Sequence, residues 1–306
     1  MDGVFAGFAT IALIIGLGIL LAHLKVIDAA GQRTLSTLAF YVASPALLVT
    51  VLEDSDLGAV FSGNLVATIA AVLVAGLAYV AVAVLRGQDL GSTVIGTLCA
   101  AYVNAGNLGL PIAAYVLGDP ALVAPVLLLQ LLVLQPLALT LLDAANSDHR
   151  LSVGAIVSRP LKNPITIGSA IGLGFALTGL ELPVAIHDPL ALVGGMAVPS
   201  MLIAYGVSLR LGPLPGRGVA ASELALATGL KMVVQPLAAY LVGRFALGLD
   251  PEQLLAVTVL SALPTAQNVF VIASRYDRGV LLARDSIFVS TLASVPVVVL
   301  ITALIA

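Results

Sequence analysis

Ten apolar stretches, separated by short polar interruptions, make up most of the 306-residue chain. Each stretch is close to or longer than the roughly 20 residues that a helix needs to cross the hydrocarbon core of a bilayer. The pattern therefore predicts an all-α integral membrane protein with ten transmembrane helices. The predicted spans are residues 3–24, 32–52, 61–85, 91–117, 122–142, 163–180, 188–209, 219–243, 251–274 and 284–305.

Composition supports this class and narrows the functions that the chain can have. Hydrophobic residues make up 60% of the sequence and charged residues 9%, whereas soluble domains contain about 25% charged residues. The net charge of −3 and the lack of a basic patch argue against binding to nucleic acid. The single cysteine, Cys99, excludes an internal disulfide framework and a cysteine-based metal cluster.

The chain divides into two related halves. The most polar linker, residues 144–162, separates a first half, 1–143, from a second half, 163–306. Because five spans is an odd number, the second copy enters the membrane from the opposite side. This predicts a 5+5 inverted repeat, which is common in secondary transporters. Motifs that recur in order, at offsets of 154 to 161 residues, are Ser44-Pro45 with Val198-Pro199, Asn107 with Asn268, and Gln135-Pro136 with Val295-Pro296.

Positive charges lie almost entirely on one side of the predicted bundle. The loops after spans 1, 3, 5, 7 and 9 hold 11 of the 13 Lys and Arg residues. Arg244 lies on the other side, and Lys231 lies within span 8. The positive-inside rule then places the central linker in the cytoplasm and both termini outside. We expect a multi-pass protein of the cytoplasmic (inner) membrane.

Span 4 contains a stretch that cannot continue an ordinary helix. Asn104, Gly106, Asn107, Gly109 and Pro111 follow one another within eight residues. Proline lacks the backbone donor and crowds the carbonyl four residues back, and glycine favours unwinding because it loses the most freedom in a helix. In a membrane, the backbone groups that such a break releases are tolerated only inside protein or beside a watery cavity.

Span 9 has a second break at the position that the repeat predicts, where Pro264 precedes three polar residues. Two broken helices at equivalent positions point to a transporter site near the bilayer midplane, and free N–H groups at half-helix N-termini suit an anionic group. The alternative is a pair of proline kinks that adjust helix packing. The predicted substrate-binding residues are Asn104, Asn107, Thr265, Gln267 and Asn268, and the predicted helix-break residues are Gly106, Gly109, Pro111 and Pro264.

These two motifs resemble those of the auxin efflux carrier family, in particular its bacterial branch, within a superfamily that includes bile acid, arsenite and riboflavin transporters. The resemblance covers the whole chain and rests on Asn104-x-Gly106-Asn107-x-Gly109-x-Pro111 and on Leu263 to Phe270, followed by Arg275-Tyr276. It implies a ten-helix fold in which the broken helices 4 and 9 cross. Spans 1, 2, 6 and 7 would form a scaffold, often a homodimer. Spans 3–5 and 8–10 would move against it as an elevator-like transport unit.

The resemblance also implies a binding place and a substrate class. Substrate would lie at the crossover, beside Asn104, Asn107, Gln267 and Asn268. Plant members have a different polar pattern at the first break and often a long central loop, whereas the linker here is under twenty residues. Auxin is therefore not implied. The family-level expectation is a secondary active transporter for a small carboxylate.

Lys231 is the one charge placed deep within a predicted span. An intramembrane charge costs at least about 2.5 kcal/mol, which makes it a functional candidate by default. The charge would pair with an anionic substrate, act as a tethered cation in place of Na⁺, snorkel toward an interface, or pair with Glu223 or Asp143. No carboxylate lies securely in mid-span, so the coupling ion, H⁺ or Na⁺, stays open.

Other functions are less well supported by the residues. An intramembrane enzyme would need a nucleophile with a base, or a metal cluster, and the spans contain neither. We therefore predict no catalytic residue, no metal and no cofactor. An anion channel or a membrane substrate sensor on the same fold is the remaining alternative. Gln130, Gln135 and Gln235 either bond between helices or line the cavity.

Overall fold

The computed structural model describes residues 2–53, 63–109, 112–146 and 164–305. Within these ranges the chain is helical, and its one extended pairing is an isolated β-bridge. The predicted all-α class is therefore confirmed. Pro111 and most of the predicted linker 144–162 lie outside the described residues.

Helices lie in all of the predicted apolar stretches. Apart from the interruptions within spans 4 and 9, the helix ends lie within four residues of the predicted ones. Between α4 and α5 lie two π-helical turns, Ala105–Gly109 and Ala113–Leu117, and a 3-10 turn, Pro120–Val123. In chain order the helices are α1 Asp2–His23, α2 Ala29–Glu53, α3 Gly63–Leu85, α4 Leu90–Ala101, α5 Ala124–Ala145, α6 Pro164–Thr178, α7 Val184–Leu211, α8 Ala221–Ala246, α9 Pro251–Ser261, α10 Gln267–Tyr276 and α11 Val280–Ile305.

Helix length and composition support a multi-pass membrane protein. Six helices in the described ranges, α2, α3, α5, α7, α8 and α11, are long and apolar enough to cross a membrane. The helices α4 and α6 and residues 12–23 of α1 are shorter apolar helices. The ten-span inverted repeat and its orientation in the membrane stay predictions.

Three of the long helices contain a π-helical turn shortly before a proline. The turns are Ala39–Ala43 in α2, Gln130–Leu134 in α5 and Leu230–Val234 in α8, and a proline follows each of them by two residues. The N–H before each proline donates to a carbonyl five residues back. Proline lacks an N–H and crowds the carbonyl four residues back. The wider turn accommodates it without ending the helix.

The helices pack as two groups. In the first group α1 packs against α7, α2 packs against α6, and α2 also contacts α7. The second group contains α3, α4, α5 and α8 to α11, in which α3 contacts both α4 and α8. Glycines permit close backbone approach in the first group. A Cβ on Gly206 of α7 would overlap the carbonyl oxygen of Ile15 in α1, and one on Gly168 of α6 would lie 2.6 Å from the Pro45 carbonyl oxygen in α2.

A buried ion pair within α11 lies where the two groups meet and corrects one sequence prediction. Arg284, which the charge count assigns to the loop after span 9, lies in α11 and is fully buried beside Asp285. Its Nη2 and Nε lie 2.6 and 2.7 Å from Asp285 Oδ1, and Asp285 Oδ2 accepts from the Gly216 N–H at 2.8 Å. Tyr205 of α7 donates to the Arg284 carbonyl at 2.8 Å. The loop assignment is wrong because Asp285 balances the charge inside the protein.

Candidate functional site

The two predicted breaks meet in the middle of the second group. Val103, after the end of α4, forms an antiparallel bridge with Thr265, which lies between α9 and α10. The Asn104 N–H donates to the Pro264 carbonyl at 2.8 Å, and the Ala266 N–H donates to the Tyr102 carbonyl at 3.2 Å. Each break therefore satisfies part of the backbone groups that the other break releases.

Three amide side chains join the breaks in a network whose orientation follows from one backbone donor. The Asn107 N–H can only donate, and its partner at 3.3 Å is Asn104 Oδ1. Asn104 must then present its NH₂ group to Gln267, whose Oε1 accepts it at 2.7 Å and accepts a second bond from Asn107 Nδ2 at 3.4 Å. Gln267 therefore turns its own NH₂ group away from this network, and its buried Nε2 has no hydrogen-bond partner among the described residues.

A second polar cluster lies beside the first. The Tyr102 hydroxyl donates to Gln135 Oε1 at 2.8 Å, and Asn268 Nδ2 lies 3.3 Å from that hydroxyl and 3.4 Å from Gln135 Oε1. Gln130 Nε2 donates to the Val103 carbonyl at 2.9 Å. Asn268 Oδ1 is buried without a hydrogen-bond partner in the described part of the chain. A donor on Gln267 and an acceptor on Asn268 are thus both buried without a partner in the described part of the chain.

These clusters form one side of a cavity of about 250 Å³ between the two helix groups. The first group contributes an apolar wall from α2, α6 and α7, and the second group contributes the crossover and parts of α5 and α10. No Asp, Glu, Lys, Arg or His is among the described residues that line it. The cavity wall includes Phe40, Ser44, Leu47, Leu48, Ile165, Val198, Met201, Tyr102, Asn104, Gly106, Asn107, Gln130, Gln135, Gln267 and Asn268.

The N-terminus of α10 contributes positive potential to this cavity. Ala266, Gln267 and Asn268 line the cavity, and α10 begins at Gln267. Ala266 makes no side-chain capping bond, and the first N–H groups of a helix have no partner within the helix. Unpaired N–H groups together with the helix dipole favour an anion at this end.

The structure brings four of the five predicted binding residues to the cavity: Asn104, Asn107, Gln267 and Asn268. Thr265 is fully buried, and its hydroxyl donates to the Cys99 carbonyl at 2.7 Å. The side chain of Thr265 therefore caps a carbonyl in the last turn of α4 and does not line the cavity.

The predicted helix-break residues have different surroundings. Gly106 lines the cavity, and the Pro264 carbonyl accepts one of the crossover bonds. A Cβ on Gly109 would lie 2.7 Å from the Val123 side chain, so close packing favours glycine there. Pro111 lies outside the described residues.

Lys231 lies in the π-helical turn of α8, is fully buried and does not line the cavity. Its Nζ donates to Gln235 Oε1 and to the Ser261 carbonyl, both at 2.8 Å. This is not the geometry of a snorkelling side chain. Glu223, one of the proposed partners, instead accepts hydrogen bonds from Tyr79 and Gln88.

Sequence reasoning left Tyr102 out of the site and left Gln130 and Gln135 undecided. In a regular α-helix, side chains five residues apart point about 140° away from each other. In α5 the π-helical turn carries a hydrogen bond from the Gln135 N–H to the Gln130 carbonyl, which stacks the two residues on one face. The proline at position 136 is the signal that could have predicted this turn.

Comparison with known proteins identifies the family. Residues 4–142 and 145–302 match the family described as "Membrane transport protein". A relative from Rhizobium meliloti named "Putative malonate transporter" is 26% identical over 299 residues, covering 93% of this chain and 90% of the relative. A relative from Methanothermobacter thermautotrophicus named "Uncharacterized transporter" is 29% identical over 294 residues, covering 93% of each chain.

These matches agree with the fold and with the absence of an enzymatic motif in the sequence. The helices form a multi-pass membrane protein, and the matched family and both relatives are transporters, not enzymes. The predicted resemblance is confirmed over nearly the whole length of the chain. The chain belongs to the membrane transport protein family, the family of the auxin efflux carriers.

Proposed function

We propose that the protein is a secondary active transporter that moves a small organic anion, a carboxylate, across the cytoplasmic membrane. The observation that carries this proposal is the unpartnered Nε2 of Gln267 at the uncapped start of α10. A buried donor costs free energy unless a ligand accepts its hydrogen bond. A carboxylate oxygen would accept it and would also interact favourably with the helix N-terminus.

The cavity supports a small substrate. Its volume of about 250 Å³ lies below the about 300–1,000 Å³ that is typical of sites for drug-sized ligands. No described lining residue carries a negative charge that would repel a carboxylate. The name of the Rhizobium meliloti relative refers to malonate, a three-carbon dicarboxylate, which makes malonate the first ligand to test.

We further propose that transport uses elevator-type alternating access on a 5+5 inverted repeat. Helices α1, α2, α6 and α7 would be the scaffold, and α3 to α5 with α8 to α11 would be the transport unit. The pairs α1–α7 and α2–α6 support a repeat, since each joins the first helix of one half to the second helix of the other. The bridged residues Val103 and Thr265 are 162 positions apart, close to the offsets in the sequence.

The cavity also supports a moving boundary between the two groups. Its scaffold side is largely apolar and its transport side carries the polar crossover. An apolar wall allows sliding because it forms no hydrogen bonds that would have to break. We also propose that the protein forms a homodimer through the scaffold helices. The central linker, residues 144–162, would lie in the cytoplasm.

Two measurements test this function. Purified protein is heated with malonate and a panel of other small carboxylates, because a ligand that binds only the native state raises Tm. Proteoliposomes then report uptake of labelled substrate. Saturation with counterflow supports a carrier, whereas uptake without counterflow indicates a channel, and binding without uptake indicates a sensor.

A matched pair of variants locates the site. Asn268→Ala removes a lining amide and should abolish the ligand-induced rise in Tm. Asn64→Ala removes an amide that is buried in α3 but does not line the cavity, and it should retain that rise. Equal effects of the two substitutions would contradict binding at the crossover.

A further inference from the structure

Behind the crossover, the carboxyl ends of two half-helices lie close to each other. Helix α4 ends at Ala101 and helix α9 ends at Ser261. The last carbonyl groups of a helix have no partner within the helix and carry the negative end of its dipole. In transporters with broken helices, such carbonyl ends are where a coupling Na⁺ or H⁺ is held.

One pair of side chains from α8 satisfies both ends. Lys231 Nζ donates to the Ser261 carbonyl at 2.8 Å and to Gln235 Oε1 at 2.8 Å. Gln235 Nε2 in turn donates to the Ala101 carbonyl at 3.0 Å. Lys231 is 0% exposed and Gln235 is 1% exposed. The amino group is therefore linked to both half-helices inside the protein.

The oxygens around Lys231 are those of a cation site. Both of its acceptors among the described residues are neutral oxygens, one from a backbone carbonyl and one from an amide. Hard cations such as Na⁺ are held by carbonyl and amide oxygens in the same way. In the described part of the chain no carboxylate forms an ion pair with Lys231, so the helix ends supply its negative partner.

We propose that the Lys231 ammonium is a built-in cation that occupies the position of a coupling Na⁺ at the crossover. This inference adds to the proposed function. Only its consequence for Na⁺ dependence of transport rests on that function. A tethered ammonium cannot dissociate, so substrate binding and transport do not require Na⁺. The same fixed positive charge offsets the negative charge of a carboxylate bound on the other side of the crossover.

The first test uses the unaltered protein. Tm and malonate binding are measured in sodium chloride and in N-methyl-D-glucamine chloride at equal ionic strength. The expected result is the same Tm and the same affinity in both salts. A Tm or an affinity that rises with Na⁺ would overturn the proposal, because the cation position would then be available to an external ion.

The second test removes the Lys231 amino group from the proposed cation position. Lys231→Ala should lower Tm, and Na⁺ or methylammonium should restore most of the loss in a saturable manner, while N-methyl-D-glucamine is too large to enter. Lys231→Met removes the charge but keeps most of the volume, so its Tm should be low in every salt. Arg244→Ala, which removes an exposed charge from the same helix, should leave Tm unchanged. A Lys231→Ala protein that does not respond to cations would refute the proposal.

A third variant keeps the proposal testable if Lys231→Ala does not fold. Lys231→Arg retains a positive charge and should keep a higher Tm than Lys231→Met. Equal losses in these two variants would contradict a requirement for charge. All these stability measurements omit the substrate, so they are independent of the proposed function. Failure of every carboxylate to bind would overturn the proposed function and leave this inference standing.

Discussion

The substitution Gln267→Glu tests the candidate site with the smallest change in shape. Gln267 Oε1 accepts the hydrogen bonds from Asn104 and Asn107 that join the two breaks. A carboxyl oxygen can accept the same bonds, so the crossover should persist. The NH₂ group of this cavity-lining residue, which has no partner among the described residues, becomes an acceptor with negative charge, which disfavours a bound carboxylate.

The expected loss of affinity follows from two terms. A hydrogen bond to a charged group contributes about 1.5–3 kcal/mol, which corresponds to roughly 10- to 150-fold in Kd. Two carboxylates about 4 Å apart repel each other by about 4 kcal/mol at the effective dielectric constant of a protein. The affinity for malonate should therefore fall at least about tenfold, and by more while the introduced carboxyl is ionised. Acidification that protonates this carboxyl should recover part of the affinity, since an O–H donor returns.

The assay is titration of malonate into purified protein, followed by calorimetry or by Tm at a series of ligand concentrations. The matched control is Gln253→Glu, the same substitution at a half-buried position near the start of α9 that does not line the cavity. It should bind malonate with unchanged affinity. An unchanged Kd in Gln267→Glu, in protein with normal Tm, would refute the placement of the substrate carboxylate at this donor.

Three further predictions concern stability and the second polar cluster. Gly206→Leu should prevent folding because even a Cβ overlaps α1, whereas Gly174→Ala, with nothing within 4 Å, should express normally; comparable yields would contradict the packing argument. Asp285→Asn leaves the buried Arg284 charge unpaired and should cost about 3–5 kcal/mol, measured as a drop in Tm; a normal Tm would show that the guanidinium has another counter-charge. Tyr102→Phe removes one buried hydroxyl donor and should cost about 1 kcal/mol, with weaker malonate binding, and unchanged binding would separate this cluster from the site.

The sequence predicts the helices and the breaks well because both depend on local signals. Long apolar runs determine the helices, and Pro264 together with the glycines of span 4 determines where two of them are interrupted. The hydrophobic pattern also places Asn104 and Gln267 at the breaks. Their direct hydrogen bond at 2.7 Å joins residues 163 positions apart, which no local signal predicts.

Side-chain direction at an extended segment could not be predicted in the same way. Thr265 and Gln267 are both polar and lie two residues apart. Thr265 nevertheless donates to a carbonyl in the last turn of α4, whereas Gln267 lines the cavity. Which direction each side chain takes depends on the bridge between Val103 and Thr265, a contact between distant parts of the chain. The burial of Arg284 likewise depends on Asp285 and on the Gly216 N–H, which no local pattern reveals.

The extra residue in the π-helical turn of α5 bears on how this family diverges. Gln130 and Gln135 share a face only because that turn is one residue longer than a regular one. Deleting Leu132 would restore the regular pitch and leave the two amides four residues apart, about 40° from each other and still on the same face. The wider turn therefore absorbs one residue, and its loss would preserve the polar lining of the cavity. An alignment of relatives that lack this residue should therefore place the gap between Gln130 and Gln135 and keep both amides aligned.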